Sequence, residues 1–313
     1  MVVKWSNKSV LVTGGAGFIA GSLIEDLVKQ GAIVDVIDDF SVGSKDTIPD
    51  GVNYVFDGVV CEKNLPKCRY DMVFHFAAPC TVIQYRDNPL DVFAKAFESA
   101  YSIREFCKEN KIPYLVYASS ATYYGSSTDN WRKMNSRFGI QEDICRPTPD
   151  NIYAVSKVTE ECLDGLYPEL NTLALRMFPA FGAREKMKGK YASVPYQIIK
   201  EMSEGRPFEI WGDGEQERDF IYIDDLVYCI RSLVERGATG AYNLGTGKTI
   251  STNNLVNTVN KLLEVEIPAK YVPVPNYKYT KILKSDPSKL LDKIGDYTFM
   301  SIEDAVKDML EDM

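Results

Sequence analysis

The apolar positions of this chain change their period as it is read. Val10–Val12, Ile33–Ile37, Tyr54–Phe56, Met72–Phe76, Tyr114–Ser119 and Thr172–Phe178 are short, mostly apolar runs. Their length and their β-branched and aromatic content are those of buried strands. Between them, Ile19–Gln30, Asp91–Asn110 and Tyr153–Leu166 carry apolar residues at helical spacing, as at Leu23, Ile24, Leu27 and Val28. Strands that alternate with amphipathic helices predict an α/β fold with a doubly wound parallel sheet of Rossmann type. Ligands of such sheets gather at the carboxyl ends of the strands.

After Pro179 the alternation breaks down. A helix is expected over Val194–Glu204, a strand at Phe208–Trp211, a loop over Gly212–Phe220 and a helix over Asp224–Glu235. A strand at Ala241–Leu244, a helix over Ser251–Leu263 capped by Ser251, a Pro/Tyr-rich stretch Val272–Tyr279 and a last helix after Ser301 follow. This irregular half reads as a smaller mixed α/β lobe that holds substrate. The division drawn is residues 1–178 for the sheet domain, with about 219–248 returning to it, and 179–218 with 249–313 for the lobe.

Ser9–Gly21, Ser-Val-Leu-Val-Thr-Gly-Gly-Ala-Gly-Phe-Ile-Ala-Gly, joins the first strand to the first helix. Gly14, Gly15 and Gly17 let backbone approach a pyrophosphate, and the helix start at Phe18 and Ile19 offers N–H groups to it. A glycine turn alone is a weak sign. Here the strand Ile33–Ile37 then leads to Asp38 and Asp39, about 20 positions beyond the glycines, where a carboxylate can accept a hydrogen bond from a ribose hydroxyl. Two carboxylates would repel a 2′-phosphate, so NAD is expected rather than NADP.

The 313 residues suffice for a large core, and 45% apolar with 26% charged residues is ordinary for a globular chain. A net charge of −8 argues against nucleic-acid or acidic-membrane partners, and no run has the length of a membrane span. The N-terminal stretch lacks the apolar segment of a secretion signal, so a cytoplasmic location is expected. Seven scattered cysteines and one histidine, His75, leave no metal site of the usual Cys/His spacing. His75 reads as a core or near-cofactor residue rather than a base.

Tyr153 and Lys157 stand four apart at the start of a helix, on one face. The ammonium favours tyrosinate and should lower the phenol's pKa, which makes the phenol a candidate base for an alcohol. Ser119-Ser120 ends a strand, where a hydroxyl could hold the reacting oxygen or simply cap the strand. Neither feature is decisive alone.

Together these motifs resemble the extended short-chain dehydrogenase/reductases that act on nucleotide-diphosphate sugars, such as UDP-galactose 4-epimerase. The likeness covers nearly the whole chain. It includes Thr13–Ile19, Asp38–Ser41, His75–Ala78, Ser119–Gly125, Tyr153–Lys157, Leu175–Phe178 and Gly212–Phe220. The resemblance implies that Tyr153 is the base, that Lys157 tunes it and holds the nicotinamide ribose, and that Ser120 binds the sugar hydroxyl. It also implies that Gly14, Gly17, Phe18, Ile19, Asp38, Asp39 and Ala77 line the NAD site, and that Arg218 binds the diphosphate. The family's dehydratases carry Asp-Glu where Ala121-Thr122 stands, so 4,6-dehydration is disfavoured. Pro179 replaces the family's usual asparagine, Val59 an acidic residue near adenine, and Ala20 the last glycine of the turn. The expected activity is C4 oxidation of a nucleotide-diphosphate sugar, as a 4-epimerase. The alternatives are a 4-dehydrogenase, for example of a GDP-heptose, and a non-catalytic NAD-binding protein. Relatives suggest a homodimer formed through the helices at Asp91–Asn110 and Tyr153–Leu166.

Overall fold

Val10, Leu11 and Val12 are wholly buried, and the strand period sends Leu11 to one face of a sheet and its neighbours to the other. This strand, β1 (Ser9–Thr13), lies inside a seven-stranded sheet. The computed structural model describes residues 3–80, 82–125, 139–274 and 280–312. On one side of β1 lie β2 (Ile33–Asp38) and then β3 (Tyr54–Asp57). On the other lie β4 (Met72–His75), β5 (Tyr114–Ser120) and β6 (Asn171–Met177), with Gly240–Leu244 beyond them. The pairs β1–β2, β2–β3, β1–β4, β4–β5 and β5–β6 are parallel. Strand order reverses between β1 and β4, which opens a crevice at their carboxyl ends.

Three connections matter for that crevice. Helix α1 (Phe18–Lys29) joins β1 to β2. The short α2 (Val82–Asp87) and the long α3 (Pro89–Glu109) join β4 to β5. Helix α4 (Ile152–Cys162) precedes β6, and Asn151 caps it by accepting the Ala154 N–H at 2.9 Å. The helix expected to reach Leu166 ends at Cys162, and its last residues tighten into a 3₁₀ turn that contains Gly165. Ile103, Phe106 and Cys107 of α3 pack on Leu11, Val73, Leu115 and Tyr117 of the sheet.

A fully buried guanidinium lies in this layer. Arg104 of α3 donates to the Ala100 carbonyl at 2.9 Å, the Glu160 carbonyl at 3.0 Å and Asp164 Oδ1 at 2.8 Å. Its carbon lies 4.6 Å from the centre of the Tyr117 ring, whose hydroxyl donates to Asp164 Oδ2 at 2.6 Å. A charge buried this way is tolerable because its donors are met.

By internal contacts the chain forms two units. The first holds Met1–Gly125, Pro147–Met177 and Val227–Tyr242; the second holds Phe178–Leu226, Asn243–Met313 and the described part of Ser126–Arg146. The sequence-drawn division put 139–146 with the sheet. Instead, Ile140 donates to the Lys284 carbonyl at 3.0 Å, Gln141 to Asp286 at 2.6 Å, and Glu142 accepts the Asn243 N–H at 2.5 Å. By internal contacts 227–242 joins the first unit, and the strand Gly240–Leu244 lies in the sheet, within the bounds of about 219–248 drawn from the sequence. Within the second unit, Glu217–Arg218 pairs antiparallel with Ile250–Ser251 and parallel with Ile282–Leu283. Buried Asp219 accepts from Thr246, Gly247 and Ser285 and ties these short strands together. Part of the Pro/Tyr-rich stretch, 275–279, lies outside the described residues.

Gly14 has φ +74°, and a Cβ there would stand 2.9 Å from the Ala77 nitrogen and 3.0 Å from the Phe76 carbonyl carbon. Gly14→Ala is therefore expected to cost about 2 kcal/mol or more of stability. Urea unfolding checks this, and a midpoint equal to the parent's would show that the strand ends tolerate the side chain.

Candidate active site

The glycine turn is held from below. Gly14 donates to the Ile37 carbonyl at 2.8 Å, and Gly17 donates to the Gly14 carbonyl at 3.0 Å. Asp38, at the end of β2, accepts the Ala16 N–H on Oδ2 at 2.9 Å and the Phe40 N–H on Oδ1 at 2.7 Å. Its carboxylate is thus a structural staple for the turn. Each oxygen keeps a further lone pair for a ligand hydroxyl. Burial pushes its pKa up, against the pull of those two N–H groups. Asp39 is exposed and accepts only the local Ser41 N–H, at 3.0 Å.

Three features of this turn fit a dinucleotide. Backbone at Gly14 closes on Ala77 with no room for a side chain. Gly17 occupies the N-cap of α1, where no side chain caps the first turn. A carboxylate stands at the end of the adjacent strand.

The strand end of β5 and the first turns of α4 bring Ser120, Tyr153 and Lys157 together. Ser120 Oγ accepts the Thr122 N–H at 3.2 Å and the Thr122 hydroxyl at 3.0 Å. With both lone pairs engaged, the Ser120 hydroxyl keeps its own proton to give to another acceptor. Tyr153 is buried, its ring 5.5 Å from that of Tyr85. Lys157 Nζ donates to the Ala118 carbonyl at 2.6 Å and to Glu160 Oε2 at 3.0 Å. The sequence expectation of a lowered phenol pKa does not hold for the protein alone. Burial disfavours the phenolate and pushes the Tyr153 pKa above its ordinary value, while the Lys157 charge and the Ser120 hydroxyl pull it back only partly.

The two adjacent serines have separate tasks. Ser119 Oγ donates to Glu161 Oε1 at 2.5 Å, and Glu161 also takes Arg176 Nε at 3.0 Å and Nη2 at 2.7 Å. Arg176 lies 3.7 Å from the centre of the Tyr123 ring and donates to the Tyr124 hydroxyl at 3.0 Å. Ser119 is therefore locked into a structural cluster.

His75 closes the floor of the crevice. Thr13 Oγ1 accepts the Phe76 and Ala77 N–H groups at 3.1 and 3.0 Å, so its hydroxyl proton goes to His75 Nδ1 at 2.8 Å. The imidazole proton then sits on Nε2, with Ser99 Oγ at 3.4 Å and Glu160 Oε1 at 4.0 Å. Full burial pushes the His75 pKa down to about 4, so the ring is neutral at ordinary pH. It is a positioned core residue, not a base.

Arg218 lies in the second unit, on Glu217–Arg218, and donates to the Glu217 carbonyl at 2.8 Å. Glu217 accepts the Thr249 hydroxyl and Glu215 accepts Asn253 Nδ2 at 2.6 Å. Pro179, in the same unit, uses its carbonyl to accept the Ile221 N–H at 3.0 Å. Val59 is half exposed. Sequence reasoning missed Thr122 and Glu160. Glu160 stands three residues beyond Lys157, a spacing that was visible, but its burial was not.

Because unfolded histidine takes up a proton near pH 6.5 and buried His75 only near 4, its contribution to stability is full above pH 6.5 and fades as pH falls toward 4. Urea midpoints should drop over that range by the equivalent of roughly 3 kcal/mol, and His75→Gln should flatten that slope. An equally steep slope in the variant would assign it to other groups.

A protein-family profile, that of the NAD dependent epimerase/dehydratase family, matches residues 10–245. ADP-L-glycero-D-manno-heptose-6-epimerase of Alkalilimnicola ehrlichii is 30% identical over 327 aligned positions, which cover 96% of each chain. UDP-N-acetyl-alpha-D-glucosaminuronate decarboxylase of Bacillus cytotoxicus is 25% identical, with 97% of each chain covered. Among solved structures, the chain is similar to UDP-N-acetylglucosamine 4-epimerase from Methanobrevibacter ruminantium M1 in complex with UDP-N-acetylmuramic acid. The TM-score is 0.85 and the identity 27%, with 98% of this chain and 100% of that one covered.

Proposed function

The chain belongs to the NAD-dependent epimerase/dehydratase family, and we propose that within it the protein oxidises C4 of a nucleotide-diphosphate sugar reversibly, as a 4-epimerase. The observation that carries this reading is the burial of Tyr153 and Lys157 on one face of α4, with the Lys157 charge favouring the phenolate and Ser120 at the end of β5. In this reading Gly14, Gly17, Phe18, Ile19, Asp38, Asp39 and Ala77 hold NAD, which when bound supplies reversible two-electron oxidation. Tyr153 takes the proton of the C4 hydroxyl, and Ser120 donates to the same oxygen and to the phenolate in turn. Lys157 keeps one N–H beyond those given to Ala118 and Glu160 for a ribose hydroxyl. Arg218 offers its planar fork to the diphosphate. Ala121 and Thr122 provide neither an acid nor a base, which disfavours dehydration. The seven cysteines are all thiols rather than disulfides, as suits a reducing cytoplasm. No helix among the described residues is long and apolar enough to cross a membrane.

Incubation with UDP-, GDP-, CDP- and ADP-linked sugars, heptoses included, tests the reaction. The expected outcome is a C4-inverted product without accumulation of NADH. A released 4-keto sugar with stoichiometric NADH would make the protein a 4-dehydrogenase instead. Tyr153→Phe should lower turnover by roughly a thousandfold, and a loss of only a few fold would remove Tyr153 from the base role.

Leu90, Phe97 and Tyr101 of α3 and Ile152 of α4 are exposed apolar side chains. Such a face is an expected contact between copies, and we assign the homodimer to it. Light scattering should give twice 35.2 kDa for the parent and 35.2 kDa for Phe97→Asp. A monomeric parent would refute the assignment.

A further inference from the structure

The geometry points to Glu160 as a positioning residue whose carboxylate keeps the buried Lys157 charged and aimed. As to turnover, this rests on the role given to Lys157 above. Lys157 is 4% exposed and Glu160 6%. Among the described residues the one carboxylate bonded to this ammonium is Glu160, at 3.0 Å. The Ala118 carbonyl at the end of β5 takes a second N–H at 2.6 Å, so two of three donors are fixed by the protein and the third direction is defined.

Other groups surround the pair. Tyr153 of α4 and Tyr85 of α2 face Lys157, while His75 of β4 and Arg104 of α3 face Glu160. Cys80 lies near both tyrosines. His75 is neutral, and Arg104 is already met by Asp164. Burial alone would push the Lys157 pKa below its ordinary value, and Glu160 reverses the sign. The carboxylate is held in turn: burial would raise its pKa, but the charges of Lys157 and Arg104 keep it low. The carbonyl of Glu160 itself receives Arg104 Nη2 at 3.0 Å, which fixes the turn of α4 that carries it.

Glu160→Gln preserves shape and removes the counter-charge. Lys157 should then bind its proton less tightly folded than unfolded. The variant's stability should therefore rise with pH relative to the parent's, from neutrality up to the ordinary lysine range. The gap between the urea midpoints of parent and variant is expected to be widest near pH 7 and to narrow steadily toward about pH 10. Glu160→Asp, which keeps the charge, should show a gap that does not change over the same range. In turnover, Glu160→Gln should lose roughly tenfold in kcat/KM per pH unit above the new Lys157 pKa, where the parent holds its rate. A midpoint gap independent of pH in Glu160→Gln would overturn the proposal and leave Glu160 a space-filling residue.

If Glu160→Gln does not fold, Lys157→Met/Glu160→Met decides. It should be clearly more stable than Glu160→Met alone, because it leaves no buried charge without a partner. A double variant no more stable than the single would equally overturn the proposal. The unfolding measurements need neither substrate nor NAD. An absence of nucleotide-sugar turnover in the parent would therefore count against the proposed function and leave this test intact.

Discussion

An ammonium removed from water has to be compensated on the spot, and much of the polar architecture in the first unit answers to that need. Lys157 sits between the end of β5 and the helices α3 and α4, with Glu160 and the Ala118 carbonyl as its partners. Glu160 is flanked by a neutral His75 and by Arg104, whose guanidinium Asp164 balances. Desolvation penalties of several kcal/mol per ion make each link depend on the next. The result is a rigid base under the helix that carries Tyr153.

A second constraint is the contact of backbone with backbone at the ends of β1 and β4. Gly14 lies against Ala77, and the Thr13 hydroxyl gathers the N–H groups of Phe76 and Ala77 before passing its own proton to His75. His75 in turn faces Glu160. The glycine turn and the lysine are therefore flanked by one group of buried polar side chains, although they lie far apart in the sequence. Buried polar networks of this kind hold one geometry because a displaced member would be left unpaired.

The phenol illustrates how competing effects set a site's state. The Lys157 charge and the Ser120 hydroxyl favour tyrosinate, yet burial outweighs both in the protein alone. In the reading proposed above, activation of Tyr153 therefore draws on a further positive charge beside the phenol. Thr122 contributes by filling both acceptor positions on Ser120, which leaves the serine its own proton to donate.

Local pattern determined a great deal. The strand and helix periods of residues 9–120, the glycines before Phe18, the carboxylate at Asp38 and the four-residue spacing of Tyr153 and Lys157 are properties of adjacent residues, so they were legible without coordinates. Tertiary packing decided the rest. It gave the two adjacent serines different partners, because the Glu161 side chain, shared with Arg176, claims Ser119 while Thr122 binds Ser120. It buried Glu160 beside Lys157 and assigned Glu161 to Arg176, a choice that neighbouring glutamates on one helix cannot reveal. It also drew 139–146 to the second unit through hydrogen bonds to residues about a hundred positions or more away. Burial and pairing depend on what other segments bring to a residue. The phenol's raised pKa, like the partition of the two serines and two glutamates, is a property of the assembled fold.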